Sequence, residues 1–154
     1  MSVLATVKTV IDTEGTARHN LLPVLTSLRS KLGSLSPEIL KNVSQIMDIP
    51  MAHVYGTATF YSFLETKPMG KNVIRLCRTI SCDMHGKRDV LNALEDVLAV
   101  KNGETTTDGL FTLTETNCLG HCHEGPVMLV NDEVFSSLKP ENIPAIIDEI
   151  RKKR

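Results

Sequence analysis

Val73-Ile74-Arg75-Leu76-Cys77 is a run of β-branched and aliphatic residues ending on a cysteine, and its reading decides the fold. A run of this length and composition reads as a β-strand. Cys82 follows it in the pattern Cys77-x4-Cys82. Farther along, Leu110-Phe111-Thr112-Leu113-Thr114 alternates as a second strand should, and Cys118-x3-Cys122 comes a few residues after it. Between the strands, Lys87 to Val100 places Val90, Leu91, Leu94, Val97 and Leu98 on one helical face. Two parallel strands joined by a right-handed helical crossover end on the same sheet edge. Both cysteine pairs then meet where open α/β sheets generally bind ligands.

Working outward, Val127 to Val130 and Val134 to Phe135 read as short strands around Asn131-Asp132-Glu133, a hairpin signal. Ile143, Ile146, Ile147 and Ile150 form the apolar stripe of a final helix that ends in Arg151-Lys152-Lys153-Arg154, a solvated helix end favoured by the helix dipole. Upstream, residues 1–16 carry a weak helical pattern broken near Gly15, and Leu21, Leu25, Leu28 and Leu32 keep the period of one helix face up to a C-cap at Gly33. Ser36, Pro37 and Glu38 open another helix, with Ile39, Leu40, Val43, Ile46 and Met47 on its apolar face. A further helix is expected over 51–61, and Lys67-Pro68-Met69-Gly70 is turn-like. The expected fold class is α/β, with a helical bundle over 1–68 followed by a β-α-β-β-β-α domain over 69–154.

The chain has 154 residues, 42% of them hydrophobic and 23% charged, which is a globular composition. A net charge of −1 gives no electrostatic basis for binding nucleic acid. No apolar stretch approaches the roughly 20 residues that span a bilayer, so direct membrane insertion is not expected. The segment from Met1 to Thr9 lacks the pattern of a signal peptide, and the expected location is the cytoplasm. Thiols stay reduced there, so paired cysteines read as metal ligands or redox groups. Tryptophan is absent and aromatics are 4%, which leaves the core to aliphatic residues. Tyr55, Phe60, Tyr61 and Phe63 read as core packing, with partner contact as the other reading.

Two close cysteine pairs make a four-thiolate site for one metal centre, and a [2Fe–2S] cluster leads because neither spacing is the usual zinc knuckle. A structural zinc site held by the four cysteines is the strongest rival, and a pair of disulfides is a weaker one. A thioredoxin-type oxidoreductase would need a Cys-x-x-Cys pair, which is missing. Gly120, and in a similar way Gly86, read as places where backbone N–H groups approach the sulfurs. His85, His121 and His123 lie near the cysteines and read as exposed loop residues, since four thiols already complete a ligand set.

These motifs carry a resemblance. Cys77-Arg78-Thr79-Ile80-Ser81-Cys82-Asp83-Met84-His85-Gly86, then Thr107-Asp108-Gly109-Leu110-Phe111-Thr112-Leu113, then Cys118-Leu119-Gly120-His121-Cys122-His123-Glu124-Gly125-Pro126 resemble the thioredoxin-like [2Fe–2S] ferredoxin family. That family includes the 24-kDa-type subunit of NADH:quinone oxidoreductase (complex I) and small subunits of NAD-linked hydrogenases and formate dehydrogenases. Val54-Tyr55-Gly56-Thr57-Ala58-Thr59-Phe60-Tyr61 extends the likeness upstream. The resemblance implies a thioredoxin-like second domain with a mixed four-stranded sheet. It implies that Cys77, Cys82, Cys118 and Cys122 are the ligands of one [2Fe–2S] cluster.

The same resemblance implies docking against a flavoprotein subunit that binds FMN and NADH, beside further iron–sulfur subunits. It implies a chain that carries electrons, holds no FMN or NAD(H) itself and is not catalytic alone, within a complex that can attach to the cytoplasmic face of a membrane. The alternatives are the same module in a hydrogenase or formate dehydrogenase, and a zinc-stabilised structural subunit. Lys139 and His121 depart from the family pattern, and Pro126 falls at a position of note within it. Lys139 replaces a capping Thr or Ser before Pro140, so the last helix is expected to fray at its start. His121 stands where a small residue is common. Pro126 stands where thioredoxin-like folds often carry a cis proline, with a trans proline opening an edge strand as the other reading.

Overall fold

The structure is a computed structural model that describes residues 3–153. The chain divides between Pro68 and Met69 into two compact units. In the first, α1 (Val3–Glu14), α2 (Leu21–Leu32), α3 (Pro37–Met47) and α4 (Met51–Phe60) build a helical bundle. Val7, Val10 and Ile11 of α1 are buried with Leu21, Val24, Leu25 and Leu28 of α2 and Leu40 and Val43 of α3, so the weak pattern over residues 1–16 is a core helix. Met1 and Ser2 lie outside the described residues. Gly33 ends α2 and returns its N–H to the Arg29 carbonyl, while Ser36 accepts from the Ile39 N–H to start α3. Arg29 binds the buried Glu65 carboxylate through two nitrogens, at 2.7 and 3.3 Å, tying α2 to the end of the unit.

Helix α4 departs from the expected packing. Val54 and Ala58 are its buried residues, and Tyr55, Phe60, Tyr61 and Phe63 are exposed, Phe60 by 80%. The aromatic run is therefore surface and not core. Its apolar residues surround the helix instead of forming a stripe, so most of them face outward by geometry alone.

The second unit is built on β1 (Asn72–Cys77), α5 (Ile80–Met84), α6 (Lys87–Leu98), β2 (Phe111–Thr116), β3 (Met128–Val130), β4 (Glu133–Phe135) and α7 (Ile143–Lys152). The sheet order is β2-β1-β3-β4, with β1 and β2 parallel and the other neighbours antiparallel. It is the mixed four-stranded sheet of a thioredoxin-like fold. Ile74 and Leu76 of β1, Phe111 and Leu113 of β2, and Met128 and Val130 of β3 share one core with Val90, Leu94 and Leu98 of α6 and Ile143 and Ile147 of α7. The alternate residues on β1 point to the other face, as the period of two requires. Among the described residues, no helix is long and apolar enough to cross a membrane.

Local details refine the sequence reading. The short helix α5 is not legible in the sequence; its five residues lack the two turns needed to show a helical period. Lys139 makes no side-chain cap, as expected. A single 3-10 turn over Pro140–Asn142 leads into α7, with the Asn142 N–H on the Lys139 carbonyl at 3.0 Å. The basic end of α7 is exposed, and Lys153 meets Glu149 at 3.2 Å and Glu133 at 3.4 Å; Arg154 lies outside the described residues.

Gly70 precedes β1 and is pressed against the β2 backbone. A Cβ there would lie 2.8 Å from the Phe111 carbonyl carbon and 3.0 Å from two backbone nitrogens. The Gly70 N–H also donates to Thr112 Oγ1 at 2.6 Å. Gly70→Ala is expected to destabilise the chain by about 2 kcal/mol, since rigid backbone must move to admit the methyl group. Urea unfolding checks this, and an unchanged midpoint would contradict it.

Candidate metal centre

The parallel pairing of β1 with β2 sets the site. Cys77 lies opposite Thr116 at the last position of the register, so both strands end on one edge. The Arg78 N–H still bonds to the Thr116 carbonyl at 2.9 Å, holding the first loop against the second as they leave the sheet. Cys77 is also anchored on its other side, where its N–H donates to the Val127 carbonyl at 3.0 Å. The chain then turns into α5, which returns Cys82 beside Cys77. Cys118 leaves β2 two residues after its end, and Cys122 opens a 3-10 turn over Cys122–Glu124. The Ser81 hydroxyl donates to the Cys122 carbonyl at 3.2 Å and joins the two loops directly.

All four cysteines are free thiols, Cys77 and Cys82 buried, Cys118 and Cys122 exposed. Cys118 Sγ and Cys122 Sγ lie 3.2 Å apart, and Cys77 and Cys82 are within hydrogen-bond reach of one another. Cys82 and Cys122 each also feel a cysteine of the other pair, so the four thiols form one electrostatic group. Among the described residues, no three His, Cys, Asp or Glu side chains converge as a single bound ion requires. The sulfurs converge two by two, which suits a two-iron centre with a pair of thiolates on each iron. The donor set fits a [2Fe–2S] cluster, which Cys77, Cys82, Cys118 and Cys122 would hold.

The surroundings of the sulfurs differ. Burial pushes the Cys77 thiol up, but hydrogen bonds from the Thr79 hydroxyl and N–H, from Cys82 and from the Leu119 N–H together outweigh it and draw it below its ordinary value. Burial and the hydrogen bond with Cys77 push Cys82 up, against the Val127 N–H. The bonded Cys118 thiol and its charge hold Cys122 up. Gly120 adopts φ +87°, a left-handed conformation natural to glycine, and donates its N–H to Cys118 Sγ at 3.4 Å. That is the approach expected of Gly120. Gly86 instead starts α6, and its N–H goes to the Asp83 carbonyl.

Other residues named from the sequence fall at the rim. His85 Nδ1 lies 2.6 Å from the Ser81 carbonyl oxygen, and His121 and His123 stack with Glu124 beside them. The Gly125–Pro126 peptide is cis. Residues not singled out also shape the site. Thr79 bonds Cys77, Ser81 bridges the loops, and Gly125 packs against Cys82, where a Cβ would lie 3.5 Å from Sγ. The three lie inside the quoted motifs, but segments this short have no period to reveal which way their residues face. Ile80 and Met84 of α5 are 75% and 80% exposed and leave an apolar border beside the centre.

A family model described as thioredoxin-like [2Fe-2S] ferredoxin matches residues 7–151. The chain is 37% identical over 130 residues to the E-type subunit of NADH-quinone oxidoreductase from Buchnera aphidicola, covering 84% of this chain and 80% of that one. It is 36% identical over 135 residues to the corresponding NADH-quinone oxidoreductase subunit from Rickettsia bellii, covering 87% and 81%. Among solved structures, it superposes on a chain of an NAD+-reducing [NiFe]-hydrogenase in the air-oxidized state with a TM-score of 0.74 at 25% identity, over 86% of this chain. It spans 23% of that hydrogenase chain.

Proposed function

We propose that this chain, which belongs to the thioredoxin-like [2Fe–2S] ferredoxin family, is the electron-transfer subunit of a multisubunit NADH-oxidising flavoprotein complex of the NADH:quinone oxidoreductase type. Cys77, Cys82, Cys118 and Cys122 hold one [2Fe–2S] cluster, which supplies a one-electron couple when bound. Cys77 and Cys82 form the inner, water-shielded wall. Cys118 and Cys122 form the outer wall, through which a redox partner approaches most closely. FMN and NAD(H) reside on a partner flavoprotein, which trades single electrons with this chain, and further iron–sulfur proteins of the complex lie beyond it. The chain is cytoplasmic, within a complex that can attach to the cytoplasmic face of a membrane. The observation that carries this reading is the gathering of four thiols, in two pairs, at one end of a parallel strand pair.

Protein purified without oxygen is expected to be red-brown, with about two irons and two sulfides per chain, as the cluster type requires. Dithionite reduction should produce an electron spin resonance signal. A colourless protein with zinc and no sulfide would replace this reading with a structural four-cysteine zinc site. A second reading, the same module in an NAD-linked hydrogenase, is favoured by the superposition on the hydrogenase chain; a formate dehydrogenase is the related alternative. Identification of the companions in a native pull-down separates the three.

A further inference from the structure

We infer that Thr79 tunes the reduction potential of the centre by donating its hydroxyl proton to Cys77 Sγ, an inference that rests on the cluster reading above. Thr79 Oγ1 lies 3.1 Å from Cys77 Sγ. Either atom can donate while the cysteine is a thiol, but a thiolate ligand has no proton to give. With iron bound, the hydroxyl is the donor. Adding one electron raises the negative charge that the thiolates share with their irons. A donor fixed on one sulfur therefore stabilises the reduced form more than the oxidised one and raises the potential.

The position of Thr79 supports this assignment. It is the residue that starts α5, where a threonine hydroxyl ordinarily accepts a backbone N–H from the first turn. Thr79 makes no such bond. Its carbonyl alone serves the helix, accepting the Asp83 N–H at 3.0 Å, while its hydroxyl points back to the strand end. The side chain is thus withdrawn from helix capping and committed to the sulfur. Cys77 is buried and Thr79 half-buried, so the bond is partly sheltered from water that would otherwise replace it. Of the other groups bonded to Cys77, the Cys82 thiol becomes a thiolate ligand with iron bound, and the N–H groups of Thr79 and Leu119 belong to the backbone and survive side-chain exchange. Thr79 is therefore a positioning residue whose contribution can be removed by itself.

The test is a redox titration of the full chain carrying its cluster, followed by visible absorbance and electron spin resonance, for Thr79→Ala, Thr79→Val and Thr79→Ser. The alanine and valine variants should keep iron and sulfide. At a fixed potential their ratio of reduced to oxidised centre should fall about tenfold, a shift of about 59 mV to more negative potential for one electron. Serine keeps the hydroxyl and should restore the original potential. Wild-type potential in iron-replete Thr79→Ala and Thr79→Val would overturn the inference, as would a serine variant shifted as far as alanine. Absence of iron and sulfide from the wild-type chain would overturn the cluster reading beneath it.

Discussion

Replacing Cys82 with serine is expected to cut the iron bound per chain at least about tenfold, because even changes to outer-shell partners of a metal site cost about 10–100-fold in affinity. The oxygen of serine reaches less far than sulfur and binds iron less well, so the loop must move inward to compensate. At Cys82 it has little freedom to do so. The residue is buried, a Cβ added at Gly125 would lie 3.6 Å from its Cα, and the neighbouring turns are tied through Ser81 and His85. Cys118 is in a different position, exposed in a loop that bends at Gly120. Cys118→Ser should therefore keep more iron, with a shifted visible spectrum. Iron analysis and absorbance of the two variants check both statements. Wild-type iron in Cys82→Ser would remove it from the ligand set, and a spectrum unchanged by Cys118→Ser would do the same for that residue.

Phe111→Ala should produce the largest loss of stability, about 3–5 kcal/mol, as expected when a buried phenyl group is removed and its space only partly refills. Phe111 is fully buried at the start of β2 and packs in the core shared by the sheet, α6 and α7. Its ring also lies 5.7 Å from the Arg151 guanidinium, a contact that alanine abolishes. Against a total stability of about 5–15 kcal/mol this is a severe change. Val134→Ala, on the exposed strand β4, should stay within about 0.5 kcal/mol. The comparison is read from urea midpoints at constant slope. Equal midpoints for the two variants would show that this core does not hold the sheet together.

The expected elements match the structure where side chains repeat with a clear period. Val73 to Cys77 is legible as a strand because its residues are β-branched or aliphatic around a single arginine, and the α6 stripe because Val90, Leu94 and Leu98 fall on one face. The resemblance of the cysteine motifs to the thioredoxin-like [2Fe–2S] ferredoxin family is legible from spacing and neighbours alone, and the family match over residues 7–151 agrees with it. The reading fails at α4, where aromatic residues expected in the core lie at the surface. Hydrophobic character reports affinity for burial, but only the presence of a neighbouring surface decides whether burial occurs.

Side-chain direction is also out of the sequence's reach. Thr79 and Ser81 are unremarkable as letters, yet one bonds Cys77 and the other bridges to the Cys122 loop. What the amino-acid order determined by itself was which residues make the longer helices and the strands, and that four thiols lie at or just after two strand ends, because those properties depend on local spacing. Tertiary structure alone decided which sulfurs are shielded, which hydroxyl serves a sulfur and which aromatic rings stay in water. The shielding of the sulfurs arises from packing between residues distant along the chain, the Thr79 hydroxyl takes its direction from the turn that leaves β1, and the rings stay exposed because α4 buries only Val54 and Ala58.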